Sequence, residues 1–187
     1  MTNPRRAAIV SAAYRCMARN GYERTSTAQI CREAGVSSGT FFHHFPTKAA
    51  VLVAVLEDAF AQTRAAFDHI RTVGESDALA ALAVWRDHVL SEAADEDLAG
   101  FVSVLGSVPG NPSVTALLSA EATLTHDVLT SVIGAGQGQG VVRADWTPDR
   151  LATWLGIVAD GVLSHAVEGR AVSAAELADV TTRLVGP

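Results

Sequence analysis

Two groups of residues have the types and spacing to do chemistry. One is the run Ser37-Ser38-Gly39-Thr40-Phe41-Phe42-His43-His44, rich in hydroxyl and imidazole groups. The other comprises His126-Asp127 and the pair Asp160 and His165, which suggests acid–base or metal chemistry. The second group fails on geometry. Neighbours at i,i+1 do not share a helix face, and a spacing of five places two ligands poorly. No H-E-x-x-H, nucleophile elbow or phosphate-cradling loop occurs; Gly134–Gly140 has the glycines of such a loop without its Lys and Ser/Thr. An enzyme is therefore not expected, nor a metal site or a cofactor. The first group offers hydrogen-bonding edges on one helix face, which suits recognition.

The recognition reading depends on the elements around that run. Ile9, Ala12, Ala13, Cys16 and Met17 form one apolar stripe of a first helix, which Asn20-Gly21 ends. A second, short helix starts near Ser26, with Gln29 as capping-box partner, and buries Ile30 and Ala34. Gly35 stops it. A third starts with Ser37 as N-cap and runs to about His44. Two short helices joined by Ala34-Gly35-Val36-Ser37 make a helix-turn-helix, whose tight turn needs the backbone freedom of glycine. Ile30, Val36, Phe41 and Phe45 are spaced to form the core beneath it, leaving Ser38, Gly39, Thr40, Phe42, His43 and His44 on the open face. Gly39 costs the helix roughly 1 kcal/mol against alanine. Close approach of another backbone would explain it, and a DNA groove provides one.

Pro46 breaks the chain, Thr47 caps, and a long fourth helix follows to about Arg71. Lys48 falls in its first turn, where the macrodipole disfavours a cation by about 0.3–1 kcal/mol. A phosphate bound there would turn that penalty into an anion site; the alternative is a solvated lysine beside a cap. Further helices begin at Asp77, near Asp97, at Ser113, at Thr147-Pro148 and at Ser173, the last with Glu176 as capping-box partner. Pro109-Gly110-Asn111-Pro112 is a hard break, and Gly134–Gly140 reads as a flexible loop. No stretch alternates with period two. The expected fold is all-α, with about nine or ten helices.

Charge separates the same regions. Residues 1–50 carry seven basic side chains against two acids, a balance of +5, and residues 51–187 seven against 18, a balance of −11. A basic head on an acidic body hints at nucleic acid at one end only. No apolar run reaches the roughly 18 residues that span a bilayer, and Tyr14, Arg15 and Arg19 spoil any signal peptide. No membrane role is expected. Cys16 and Cys31 read as reduced, buried thiols of a cytoplasmic protein, with a redox switch as the alternative.

The ordered combination of Ile9–Ala13, Asn20-Gly21-Tyr22, Thr25-Ser26, Ala34-Gly35-Val36-Ser37 and His44-Phe45-Pro46-Thr47-Lys48 resembles the DNA-binding domain of TetR/AcrR-type transcriptional regulators. The rest of the chain resembles the family more loosely, through Gly140–Asp145 before a long helix. The resemblance implies a helix-turn-helix domain over 1–47 and a helical effector-binding and dimerisation domain over 48–187. It implies a homodimeric repressor on a palindromic, double-stranded operator, released by a small-molecule effector. Carried over by position, it makes Thr40 and His43 base readers, Ser26, Thr27, His44 and Lys48 phosphate contacts, and Arg5 and Arg6 an N-terminal arm. Ser37, Ser38, Gly39 and Phe42 complete the surface. The family usually has tyrosine where this chain has Phe42, so a hydroxyl-to-phosphate bond is missing. His44 has a second reading, as a residue packed on Phe45.

A ligand-sensing body needs a cavity, and Phe60, Phe67, Trp85, His88, Phe101, Leu105 and His126 supply an apolar wall with a few polar groups, suited to a largely apolar effector. The same residues also suit an ordinary core. Gly156, Ala159 and Gly161 permit close packing between the helices from Ser113 and Thr147 and a second copy; Gly161 could equally mark a kink. A helical DNA-architectural protein without effector is the alternative function.

Overall fold

The computed structural model describes residues 3–107 and 111–187. Among the described residues it contains nine α-helices and no strand. They are α1 (Pro4–Asn20), α2 (Thr27–Ala34), α3 (Ser38–His44), α4 (Lys48–Gly74), α5 (Ala78–Ala93), α6 (Leu98–Ser107), α7 (Pro112–Gly138), α8 (Pro148–Val167) and α9 (Ala174–Val185). The expected boundaries follow from local chemistry. Ser26 and Ser173 form complete capping boxes with Gln29 and Glu176, and Asp77 and Thr147 accept backbone N–H bonds at their helix starts. The proline–glycine break at 109–110 lies outside the described residues.

Two compact units make up the chain. The first joins Met1–Ala61 with Glu96–Leu118; the second joins Gln62–Asp95 with Ser119–Pro187. In the first, α1, α2, α3, the start of α4, α6 and the start of α7 bury Ile9, Met17, Ile30, Phe41, Phe45, Leu52, Val104 and Val114. In the second, the rest of α4 and α7 enclose Phe67, Ile70, Trp85, Leu129, Ile133, Leu151, Leu155 and Leu177 together with α5, α8 and α9. Packing thus divides the chain elsewhere than at residue 47, so a boundary there would be one of role. The reason is α6, which lies against α1. The Tyr14 and Phe101 rings meet at 4.8 Å between centroids, and a methyl on Gly100 would stand 2.1 Å from the Ala18 carbonyl oxygen.

Two local expectations change. Gly134–Gly138 is the last part of α7, not a loop. A methyl on Gly136 would come within 2.6 Å of Val142 Cγ2 and 2.9 Å of Ala78 Cβ, so the glycine admits neighbours against the helix. Gln137 Nε2 donates to the Arg143 and Trp146 carbonyls, and Gln139 Oε1 accepts from the Ala78 N–H. These bonds offset glycine's weak helix propensity. Near the N-terminus, Asn3 caps α1 and Pro4 takes its first position, so Arg5 and Arg6 belong to a helical turn, not an extended arm.

Gly100→Ala should destabilise the protein by about 1–3 kcal/mol, because the clash is with backbone and no rotamer relieves it. Gly106→Ala, on the same helix but with open space around it, should be neutral or stabilising by up to about 1 kcal/mol. Urea unfolding of the two variants checks the contrast.

Candidate nucleic-acid interface

The recognition run sits where the turn places it. Gly35 adopts φ +65°, ψ +32°, a left-handed cap that side chains disfavour, and Val36 N–H returns to the Cys31 carbonyl at 3.0 Å. Ser37 then caps α3: its Oγ accepts from Thr40 N–H at 3.1 Å and lies 3.0 Å from Thr40 Oγ1. Ile30, Phe41 and Phe45 are buried and Val36 is partly so, as the spacing implies. Ser38, Gly39 and His43 are exposed and Thr40 half-buried. Phe42 is 53% exposed, an unusual state for a phenylalanine, with its ring edge-on to Phe41. A methyl on Gly39 would meet only Ser37 Oγ, at 3.8 Å. Nothing within the protein calls for glycine there.

Other candidates are already engaged. Lys48 Nζ donates to the Tyr22 carbonyl at 2.7 Å and the Glu23 carbonyl at 3.3 Å, and stands 4.3 Å from the centre of the Tyr22 ring. Carbonyl dipoles and a π face thus already relieve the cation's unfavourable position at the start of α4. One ammonium proton remains for a further acceptor. Ser26 is committed to Gln29, and Thr27 is half-buried beside it. His44 is half-buried, its ring 6.4 Å from Phe45 and 5.1 Å from His43. Arg6 lies over the Phe45 ring at 5.3 Å and reaches Glu57 at 3.7 Å; Arg5 is exposed.

The basic charge of the head is partly spent internally. Arg15 and Arg19 both bind Glu33, and hydrogen bonds from these guanidinium groups, Arg15 first, hold the Glu33 carboxyl below its ordinary value. Arg32 on α2 is exposed and has no ion-pair partner among the described residues, and Arg24 gives its Nε to the Asn20 carbonyl while remaining exposed. Neither stood out in the sequence, because arginine on a helix says nothing of which arginine a neighbouring acid will take.

The family model described as "Bacterial regulatory proteins, tetR family" matches residues 9–55, the span from the first buried stripe through the helix-turn-helix into α4. Over those residues the chain is similar to the DNA-binding region of TetR-family regulators. It is 29% identical over 169 residues to the HTH-type transcriptional repressor Rv1474c of Mycobacterium tuberculosis, a match covering 88% of this chain and 83% of that protein. The fold is similar to that of reduced Escherichia coli NemR, with a TM-score of 0.81, 14% identity and 98% of each chain covered. It is also similar to a putative transcriptional regulator of Saccharomonospora viridis in complex with choline, with a TM-score of 0.79, 25% identity and 97% of each chain covered. The matched family is one of bacterial regulatory proteins, and the Mycobacterium tuberculosis relative is a transcriptional repressor. Among the described residues no helix is long and apolar enough to cross a membrane.

The proposed effector wall is drawn from both units. Phe101 (8% exposed) and the half-buried Leu105 pack in the first core with α1, and Phe60 is half-buried on the first-unit part of α4. Phe67 and Trp85 are buried in the second core, with His88 edge-on to Phe67. His126 is half-exposed, and its Nε2 lies 2.9 Å from Asp149 Oδ1 across α7 and α8. It does not pair with its sequence neighbour Asp127, which points elsewhere around the helix.

Gly39→Ala should raise thermal stability, by up to about 1 kcal/mol, while weakening DNA binding. Paired melting curves and gel-shift titrations test it; unchanged DNA affinity would remove the groove-approach explanation.

Proposed function

We propose that this chain is a TetR-family regulator, a homodimeric repressor that sets Thr40 and His43 of two α3 helices into successive major grooves of a palindromic operator, roughly 34–36 Å apart. The observation that carries the reading is the exposed face of α3: Gly39 has no internal reason to be glycine, and Phe42 stands in water. Thr40 and His43 would read base edges there, and Phe42 would contact a sugar or a thymine methyl. Arg5, Ser26, Thr27, His44 and the remaining proton of Lys48 would hold phosphates, with Arg24 and Arg32 adding charge. Arg6, folded on Phe45 and Glu57, would reach the backbone only by leaving them.

Dimerisation is proposed through α8 and α9. Trp154, Ile157 and Gly161 share one face of α8 at helical spacing; Trp154 and Ile157 are 43% and 51% exposed, and Val180 of α9 is 45% exposed. An open groove between these helices is lined by Val158, Gly161, Val162, Val172, Leu177 and Val180. Large apolar side chains left in water at such a density indicate a partner, and a second copy of the same face satisfies them. α7, whose Val128, Leu129, Val132 and Ile133 face its own core, would meet the second copy through its opposite face. A small-molecule effector in the body is supported by the choline held by the S. viridis neighbour; Phe67, Trp85 and His88 would be among its contacts here. Binding that favours one body conformation would release DNA by its difference in affinity. A DNA-architectural protein without effector is the competing reading.

Recovery of DNA fragments from the source genome by the purified chain, at rising salt, tests the reading directly. Lys48→Ala should weaken binding to all sequences and lower the salt slope by about one, whereas Thr40→Ala should chiefly relax sequence preference. An unchanged slope for Lys48→Ala would leave that residue a purely structural clamp. Ile157→Glu should convert a dimer into monomers in sedimentation analysis and abolish tight operator binding. A wild-type chain monomeric at micromolar concentration would overturn the two-site arrangement.

A further inference from the structure

The second unit contains a polar cluster to which DNA reading and dimerisation give no task. Thr63 on α4 is 6% exposed and donates from Oγ1 to Glu121 Oε1 on α7 at 2.9 Å. On α5, His88 Nε2 stands 3.4 Å from Glu92 Oε1, one turn further along. The His88 ring meets Phe67 edge-on, with centroids 5.5 Å apart. Three helices thus bring two carboxylates and an imidazole into a partly desolvated place. Among the described residues no lysine or arginine forms an ion pair with Glu92 or Glu121. His88 on its own helix stands beside Glu92, the charge of Glu121 on α7 acts on it, and α4 contributes the uncharged Phe67 against His88 and Thr63 against Glu121. On the side of α8 and α9, Arg170 lines the groove at the end of α5 and is held by Glu168.

Such an arrangement favours neutral forms. Burial, and then the charge of Glu121, push the Glu92 carboxyl up to about 7. Burial holds His88 below the ordinary imidazole value, against the pull of Glu121. A protonated Glu92 can donate to a neutral His88, leaving Glu121 as the one charge, held by the Thr63 hydroxyl. We propose that Thr63, His88, Glu92 and Glu121 form a proton switch in the body: with its proton, Glu92 bonds His88 and lets α5 settle against α4 and α7, and without it Glu92 repels Glu121 and loosens them. The titration stands independently of the repressor reading; only an effect on DNA release would rest on it.

The direction of the pH dependence follows. A carboxyl whose folded value lies above its unfolded one contributes stability that is full below the unfolded value, 4.5, and is lost as pH rises through about 7. His88, lowered on folding, works the other way, its contribution being lost as pH falls through its lowered value. The second unit is therefore most stable on the mildly acid side of neutrality.

Carboxyl carbon-13 NMR and thermal melting of the full chain, from about pH 5 to about pH 8.5, test the switch in wild type, Glu92→Gln and Glu121→Gln. The resonance missing from Glu92→Gln should titrate near 7 in the wild type and lower in Glu121→Gln, where the like charge is gone. Glu92→Gln mimics the protonated form, so wild type should lose roughly 2–4 °C relative to it between about pH 6 and about pH 8. A Glu92 midpoint in the ordinary carboxylate range, or a melting difference independent of pH, overturns the proposal. If Glu92→Gln does not fold, the wild-type midpoint and its shift in Glu121→Gln still decide. Failure of the repressor reading would show separately, as absent salt-sensitive DNA binding with this titration intact.

Discussion

A seven-residue helix has too few hydrogen bonds to hold its shape in water, yet α3 must present its side chains at fixed angles to be of use. What holds it is burial. Phe41 packs at full burial with Ile30 and Phe45, and the left-handed turn at Gly35 fixes how α3 leaves α2. Ser37 satisfies the N–H of Thr40 at one end, and Phe45 N–H reaches the Phe41 carbonyl at the other. The outward residues then need no internal purpose. Phe42 stays in water and Gly39 stays glycine because the inward face of the same helix carries the stability.

Electrostatics in the head follow a similar division between structural and available charge. Glu33 draws in Arg15 and Arg19, which ties α1 to α2, and Lys48 clamps the start of α4 to the carbonyls after α1. A guanidinium shared with a neighbouring carboxylate contributes less field at a distance than a free one. The +5 balance of residues 1–50 already counts Glu33, so these pairings decide where the positive charge is presented and leave its size unchanged. Arg5, Arg24 and Arg32 are exposed and, among the described residues, in no ion pair with a carboxylate. The acidic excess lies on residues 51–187, where like-charge repulsion would discourage contact between DNA and the rest of the chain.

Glycine plays opposite roles along the chain. At 100 and 136 the structure leaves no room for a methyl, so glycine there is a packing residue. At 39 and 106 there is room, and at 35 the backbone angle is what matters. Composition alone treats all five alike. That is why the run from Gly134 to Gly140 reads as a flexible loop in sequence: the compensation for its weak helix propensity comes from Gln137, Gln139, Ala78 and Val142, contacts that no local pattern reveals.

Most helix boundaries and the helix-turn-helix were legible in the sequence, because caps, prolines and apolar spacing act within a few residues of where they stand. Ser26 with Gln29, Thr147 with Pro148 and Gly35 before Val36-Ser37 each state their structure locally. The buried face of α3, and by exclusion its open face, could be read from Ile30, Phe41 and Phe45 for the same reason. Long-range partners could not be read. Only the tertiary structure decided that α6 packs on α1, that His126 meets Asp149 and not Asp127, and that Lys48 spends two protons on carbonyls. It alone set Thr63 of α4 against Glu121 of α7, 58 positions apart in the sequence. Local signals fix each helix by its own hydrogen bonds, whereas these contacts depend on which surfaces remain to be buried once all the helices have formed.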